Sequence, residues 1–262
     1  MTDAHATDAT RLREFWNRRY ATFALSESGW LGAGEALNQR LYACKRDALQ
    51  RALAARGISG ERDFSVLDAG CGQGHFAGLY RADYPRAAYV GLDISERAVA
   101  HLRGTMPGGE FHVGDMSDWR DPARRRFDIV QSFDVLHLIL DDQRMVRALA
   151  SLAAAVGDGG ALLVTAALPE TTLQPSPYLR YRSRAFWHEA TESLGLVVAA
   201  ASPMYYWLPA GGPTNKYGRY LMSRLGAGAL HAVDRAARAW SLPQPRAWGP
   251  DCRMRLLTIV RR

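Results

Sequence analysis

The sequence predicts an α/β fold built on a doubly wound parallel sheet. Three observations carry this. Short β-type apolar runs alternate with helical stretches from residue 64 onward, the first run ends in clustered glycines, and 262 residues suit one large domain. With 48% hydrophobic and 23% charged residues, the chain has the composition of a protein that buries a core.

In chain order, residues 1–10 are polar and read as frayed. A helix is expected over residues 11–24, with Phe15, Trp16, Tyr20 and Phe23 on it. After a turn-rich segment at 26–32, a second helix is expected over 35–56. Leu37, Leu41, Cys44, Ala48 and Ala52 follow helical spacing there, and Gly57 ends it. Strands are expected at 64–67, 88–92, 110–113, 127–132 and 161–166. Ser95 suits an N-cap for a helix to Arg103, and a helix over 141–156 has Gly157 behind it. Ser183 suits the cap of a further helix, followed by a sixth strand at 196–200 and a last one at 253–260. The interruption over 202–250 holds an amphipathic stretch, about 217–240, with Leu221, Leu225, Leu230, Val233 and Ala237 on one side.

The net charge of +7 is carried almost wholly by arginine, since Lys45 and Lys216 are the only lysines. The arginines are dispersed and no RNA-binding module is evident, which argues against nucleic acid as a partner. Cys44, Cys71 and Cys252 are too few and too scattered for a disulfide framework or a zinc site, so no metal is expected. The N-terminus lacks the apolar run of a secretory signal, and no stretch approaches the ~20 apolar residues of a membrane span. The expectation is a soluble, cytoplasmic protein.

The chemistry gathers at strand ends. Gly70, Gly72 and Gly74 follow the first strand and open a helix, where glycine lets the backbone turn sharply and approach a ligand. Asp93 ends the second strand and suits the two hydroxyls of a ribose. The spacing Gly-x-Gly-x-Gly departs from the dinucleotide pattern, and Asp68 beside the loop would repel a pyrophosphate but attract a sulfonium and an amino group. Asp115 ends the third strand and suits an exocyclic adenine amine, with Ile94 and Met116 as apolar faces for the purine. Taken alone, Asp115 reads equally well as a solvated turn residue.

Val66-Leu67-Asp68-Ala69-Gly70-Cys71-Gly72-Gln73-Gly74 resembles motif I of the class I S-adenosylmethionine-dependent methyltransferases. Val90 to Ser95, Gly114-Asp115-Met116 and Phe127 to His137 resemble their following motifs in order, the last covering the fourth strand and the start of a helix. The resemblance covers residues 60–200 and is of the small-molecule type. It implies a seven-stranded, mostly parallel Rossmann-like sheet of order 3-2-1-4-5-7-6 with the seventh strand antiparallel. It further implies that Asp93 binds the ribose, Asp115 and Met116 the adenine, and the backbones of Gly70 and Phe133 the methionine portion. The resulting layout is an N-terminal helical lid (1–57), a cofactor-binding core (58–201), a helical and aromatic insertion (202–250), and the last core strand (251–262).

Phe15 to Tyr20 resembles the lid helix of such enzymes, so Tyr20 is expected over the sulfonium. Trp16, Trp30, Tyr178 and Tyr206 are candidates for the acceptor side, with plain helix docking an equal reading for Trp16. Arg46 is a candidate partner for the cofactor carboxylate. His137, just past the fourth strand, is the candidate general base; its alternative is a histidine bonded to a backbone carbonyl. His75 and His112 read as structural. The place after strand four reads Gln131-Ser132-Phe133-Asp134, without the Pro-Pro turn of amino-directed DNA methylases. The expected activity is methyl transfer to O or N of a small molecule. The alternatives are carbon methylation of an isoprenoid or other alkene, a lipid-directed peripheral enzyme, and a cofactor-binding protein without transferase activity.

Overall fold

The computed structural model describes residues 3–29, 34–205, 228–229, 231–240 and 254–262. Among the described residues, three helices precede the first strand: α1 (Asp3–Arg19), α2 (Leu25–Ser28) and α3 (Gly34–Ala54). The alternating part follows as β1 (Phe64–Ala69), α4 (His75–Asp83), β2 (Ala87–Asp93), α5 (Glu96–Thr105), β3 (Glu110–Val113) and β4 (Phe127–Ser132). Then come α6 (Asp142–Ala155), β5 (Val156–Ala167), a hairpin of β6 (Leu173–Ser176) and β7 (Leu179–Tyr181), α7 (Arg184–Ser193), β8 (Leu196–Pro203) and β9 (Met254–Arg261).

The seven-stranded sheet runs β3-β2-β1-β4-β5-β9-β8. The first five strands pair in parallel, and β9 lies antiparallel between β5 and β8. This is the expected order, with β8 and β9 as the sixth and seventh strands of the sheet. Alternate residues of the central strands feed opposite cores, as a sheet covered on both faces requires. Leu67, Val130 and Leu162 pack with Leu149 and Leu152 of α6. Val66, Ile129 and Leu163 pack with Leu49 and Leu53 of α3 and with Tyr80 of α4.

The caps form as their residue types dictate. Ser95, Asp141 and Ser183 accept from the backbone N–H of Ala98, Arg144 and Phe186, opening α5, α6 and α7. Several expectations are corrected. Helix α1 begins at Asp3, within the segment expected to fray. Strand β5 starts at Val156, so Gly157 lies in the strand instead of ending a helix. The β6–β7 hairpin was not anticipated, and β4 is followed by a 3-10 turn (Leu136–Leu138) where a helix start was expected. Residues 231–239 are helical, but Val233 is 44% exposed while Ala237 is 3% exposed, so the two do not share one buried side. Leu221, Leu225 and Leu230 lie outside the described residues.

Candidate active site

The carboxyl ends of β3, β2, β1 and β4 open into one cleft of about 910 Å³, solvent at its mouth included. Its floor begins with the loop after β1. Gly70 and Gly72 hold φ of 89° and 53°, and a Cβ on Gly72 would meet the Tyr20 hydroxyl at 2.9 Å. The loop is therefore a cradle of bare backbone, with Val135 and Tyr20 packed where side chains would stand.

Asp93 ends β2 and is buried. Its Oδ2 accepts from the backbone N–H of Gly72 and its Oδ1 from that of Ser95, both at 2.8 Å. Burial pushes its carboxyl up to about 6, against those amide hydrogen bonds. Asp115 follows β3. Its Oδ1 accepts from Ser117 N–H at 2.9 Å, and its Oδ2 pairs with Nη2 of buried Arg144 at 2.7 Å. Burial would raise Asp115, but the Ser117 amide and the Arg144 guanidinium outweigh it and hold it below the usual range. Ile94 and Met116 line the same end of the cleft.

The N-terminal helices roof the site. Trp16 and Tyr20 stack with ring centroids 5.3 Å apart, and both line the cleft. Polar contacts fasten the roof. Ser95 Oγ donates to Asn17 Oδ1 at 2.7 Å, and Gln73 Nε2 donates to the Ala24 carbonyl at 3.1 Å and to Ser28 Oγ at 2.6 Å. Burial and the nearby Asp93 hold the Tyr20 hydroxyl well above its ordinary pKa, so it stays neutral.

Of the expected residues, Trp16, Tyr20, Gly70, Gly72, Asp93, Ile94, Asp115, Met116 and Phe133 converge on this cleft. Others do not. Asp68 lies beneath the loop, 1% exposed, where it accepts from the Tyr89 hydroxyl. Burial raises it to about 6, and it faces the cleft only as charge through the loop. His137 is carried away by the 3-10 turn into a small neighbouring pocket beside Tyr181 and Arg182. Its ring stands edge-on to Tyr181 at 5.7 Å, and its Nδ1 is buried without a hydrogen-bond partner among the described residues. Burial lowers its pKa. The expected proton acceptor is thus not brought to the cleft.

Tyr178 is 57% exposed and stacks on Phe15 at 5.7 Å, outside the cleft. Trp30 and Tyr206 lie outside the described residues. Arg46 pairs with Asp83 at 2.6 Å, outside the cleft.

Sequence reasoning missed Tyr42, Lys45, Asp134 and Arg144, all of which line the cleft, and read His75 as structural although it lines the cleft too. Burial and the cations Lys45 and Arg46 push His75 down to about 4. A signal for Lys45 existed: it is one of two lysines in an arginine-rich chain. Glu110, His112 and Asp121 come together elsewhere, but both carboxylates already hold Arg125.

These features define an α/β protein with a roofed cleft where the strand order turns back between β1 and β4. Residues 66–160 match the methyltransferase domain family model. Trans-aconitate 2-methyltransferase of Variovorax paradoxus is 29% identical over 111 residues, 42% of this chain and 40% of that protein. A dTDP-3-amino-3,4,6-trideoxy-alpha-D-glucopyranose N,N-dimethyltransferase of Streptomyces venezuelae is 31% identical over 101 residues, 38% of this chain and 41% of that protein. The chain thus matches about 40% of the length of these relatives.

Two solved structures share the fold. One is magnesium protoporphyrin IX methyltransferase of Synechocystis with bound S-adenosylmethionine, with TM-score 0.57, 17% identity and 97% of both chains covered. The other is a Leishmania major S-adenosylmethionine-dependent methyltransferase, with TM-score 0.63, 13% identity, and 97% of this chain and 83% of that one covered. Residues 66–160 thus carry a methyltransferase domain, and the strand order of the sheet around them is the one the sequence resemblance implies.

Proposed function

We propose that the chain transfers a methyl group from S-adenosylmethionine to an oxygen or nitrogen of a small molecule. The observation that carries this is the row of Asp115, Asp93 and the Gly70–Gly72 cradle under a roof formed by Trp16 and Tyr20. Gly70 and Gly72 line the cleft with bare backbone, and Asp93 presents a buried carboxylate beside them. These residues suit a nucleoside: Asp93 for the ribose hydroxyls, Asp115 for the adenine amine, and Ile94 and Met116 for the purine faces.

S-adenosylmethionine supplies an electrophilic methyl group. The protein's part is to bind, orient and exclude water. Leu12, Trp16, Val135, Leu138 and Ile139 give the cleft apolar walls. An acceptor against these walls is brought into line and desolvated, which favours one that already carries a lone pair, such as a carboxylate, a phenolate or an uncharged amine. A roofed, apolar acceptor space supports a small molecule over a macromolecule. The relatives named for trans-aconitate and for a dTDP-linked amino sugar support the same class. No helix among the described residues is long and apolar enough to cross a membrane.

The test is incubation with S-adenosylmethionine and a panel of small acids, phenols, amines and alkenes. Formation of S-adenosylhomocysteine is followed, and the product methyl is placed by mass and NMR. Methyl on O or N is the expected result. Methyl on carbon, or no turnover with any acceptor while the cofactor binds, overturns the reading.

A further inference from the structure

The order β3-β2-β1-β4 sets Asp115, Asp93, Gly70 and Asp134 at the ends of four neighbouring parallel strands. Neighbouring strands lie about 4.8 Å apart, so this row is ~14 Å long, close to the length of an extended nucleoside with an amino-acid tail. With the purine assigned to Asp115 and the ribose to Asp93, the tail runs over Gly70 toward β4. An ion pair lies at that end.

Lys45 reaches in from α3 with its side chain 4% exposed, and its Nζ pairs with Asp134 Oδ2. The ammonium also sits 4.1 Å from the centre of the Tyr42 ring. Asp134 is locked in place: its backbone N–H donates to Thr165 Oγ1 at 2.7 Å, and that hydroxyl donates to Asp134 Oδ1 at 3.1 Å. Its φ of 59° lies in the left-handed region that a non-glycine residue seldom adopts, a form of strain that gathers at ligand sites. Both Lys45 and Asp134 line the cleft.

A buried ion pair is weak support for a fold, because an apolar pair of similar size stabilises as well or better. A pair that lines a binding cleft can instead repair its charges with a ligand. The ligand that leaves such a site neutral overall carries one charge of each sign on adjacent atoms. We propose that Lys45 and Asp134 form a clamp for the zwitterionic end of the cofactor, Lys45 donating to its carboxylate and Asp134 accepting from its ammonium. The proposal rests on the cofactor reading above and adds two residues to it.

The surroundings agree. Asp134 raises the Lys45 pKa although burial alone would lower it, and Lys45 holds Asp134 below its ordinary value against burial, so both stay charged across the physiological range. His75, pushed down to about 4, adds no competing charge at neutral pH. A lysine suits the role because its compact ammonium can turn from one carboxylate to another.

Calorimetry on the full chain with three ligands tests the clamp. S-adenosylhomocysteine carries both charges, S-adenosyl-3-thiopropylamine only the ammonium, and 5′-methylthioadenosine neither. Lys45→Met should weaken the first at least tenfold and the other two less than twofold, with Lys45→Arg recovering most of the loss. Asp134→Asn should weaken the first two and spare the third. Equal losses for all three ligands, or no loss, overturn the clamp and leave the cofactor reading standing. Should the variants fail to fold, the wild-type ranking decides: methylthioadenosine binding as tightly as S-adenosylhomocysteine overturns the clamp. No binding of any of the three overturns the cofactor reading and the clamp with it.

Discussion

Asp93 and Gly72 are joined by a hydrogen bond of 2.8 Å from the Gly72 amide to Asp93 Oδ2, which ties the end of β2 to the loop after β1. The carboxylate that shapes the cradle is thus the one assigned to the ribose. Because burial lifts its pKa to about 6, it is ionised at pH 7.5 and increasingly neutral below 6. Ionised Asp93 is the form that accepts from ligand hydroxyls. Affinity for S-adenosylhomocysteine should therefore hold from pH 8 to 6.5 and fall about tenfold by pH 5, as one proton is taken up for each ligand released. Calorimetry across that range reads it. For stability of the empty fold the sign is opposite: the raised pKa contributes stability below about pH 4 that is lost as pH rises through 6.

The Arg144–Asp115 pair stands at the other end of the cleft. Arg144→Met leaves Asp115 with the Ser117 amide but without its cation. Breaking a pair this well buried costs roughly 3 kcal/mol, read as a drop in the urea midpoint. Cofactor affinity should fall with it, since the carboxylate is no longer held in one orientation.

Asn17 and Ser95 fasten the roof to the end of β2. Asn17→Ala removes the two hydrogen bonds its Oδ1 accepts, from the Ser95 hydroxyl and the Arg97 N–H, each worth about 0.5 kcal/mol, between roof and sheet. The dissociation rate of S-adenosylhomocysteine should rise about fivefold in stopped-flow, with the thermal midpoint nearly unchanged.

His137 lies off the cleft against Tyr181. His137→Ala should keep kcat within about threefold of wild type, measured with a saturating acceptor. A loss of a hundredfold at unchanged cofactor affinity would restore the general-base reading.

The strand ends were legible in the sequence because each carries its own chemistry: glycines after β1, then Asp93 and Asp115 after the next two strands. The direction of side chains beyond them was not. Adjacent residues on a helix point about 100° apart, so charge alone could not separate Arg46, which turns out to Asp83, from Lys45, which turns in. The 3-10 turn at Leu136–Leu138 winds more tightly than an α-helix, and it sends His137 to a different pocket from the one a helical reading implies. The start of α1 was hidden by a polar segment without an apolar stripe, and the β6–β7 hairpin by strands of only four and three residues. Arg144 escaped notice because its partner, Asp115, is 29 residues away in sequence.

Binding of S-adenosylmethionine by Asp93 and the loop it holds is tested most directly by calorimetric titration of the cofactor into the wild type and Asp93→Ala. Micromolar affinity is expected for the wild type and at least tenfold weaker binding for the variant. No binding by the wild type, or equal affinity in a folded Asp93→Ala protein, would contradict it.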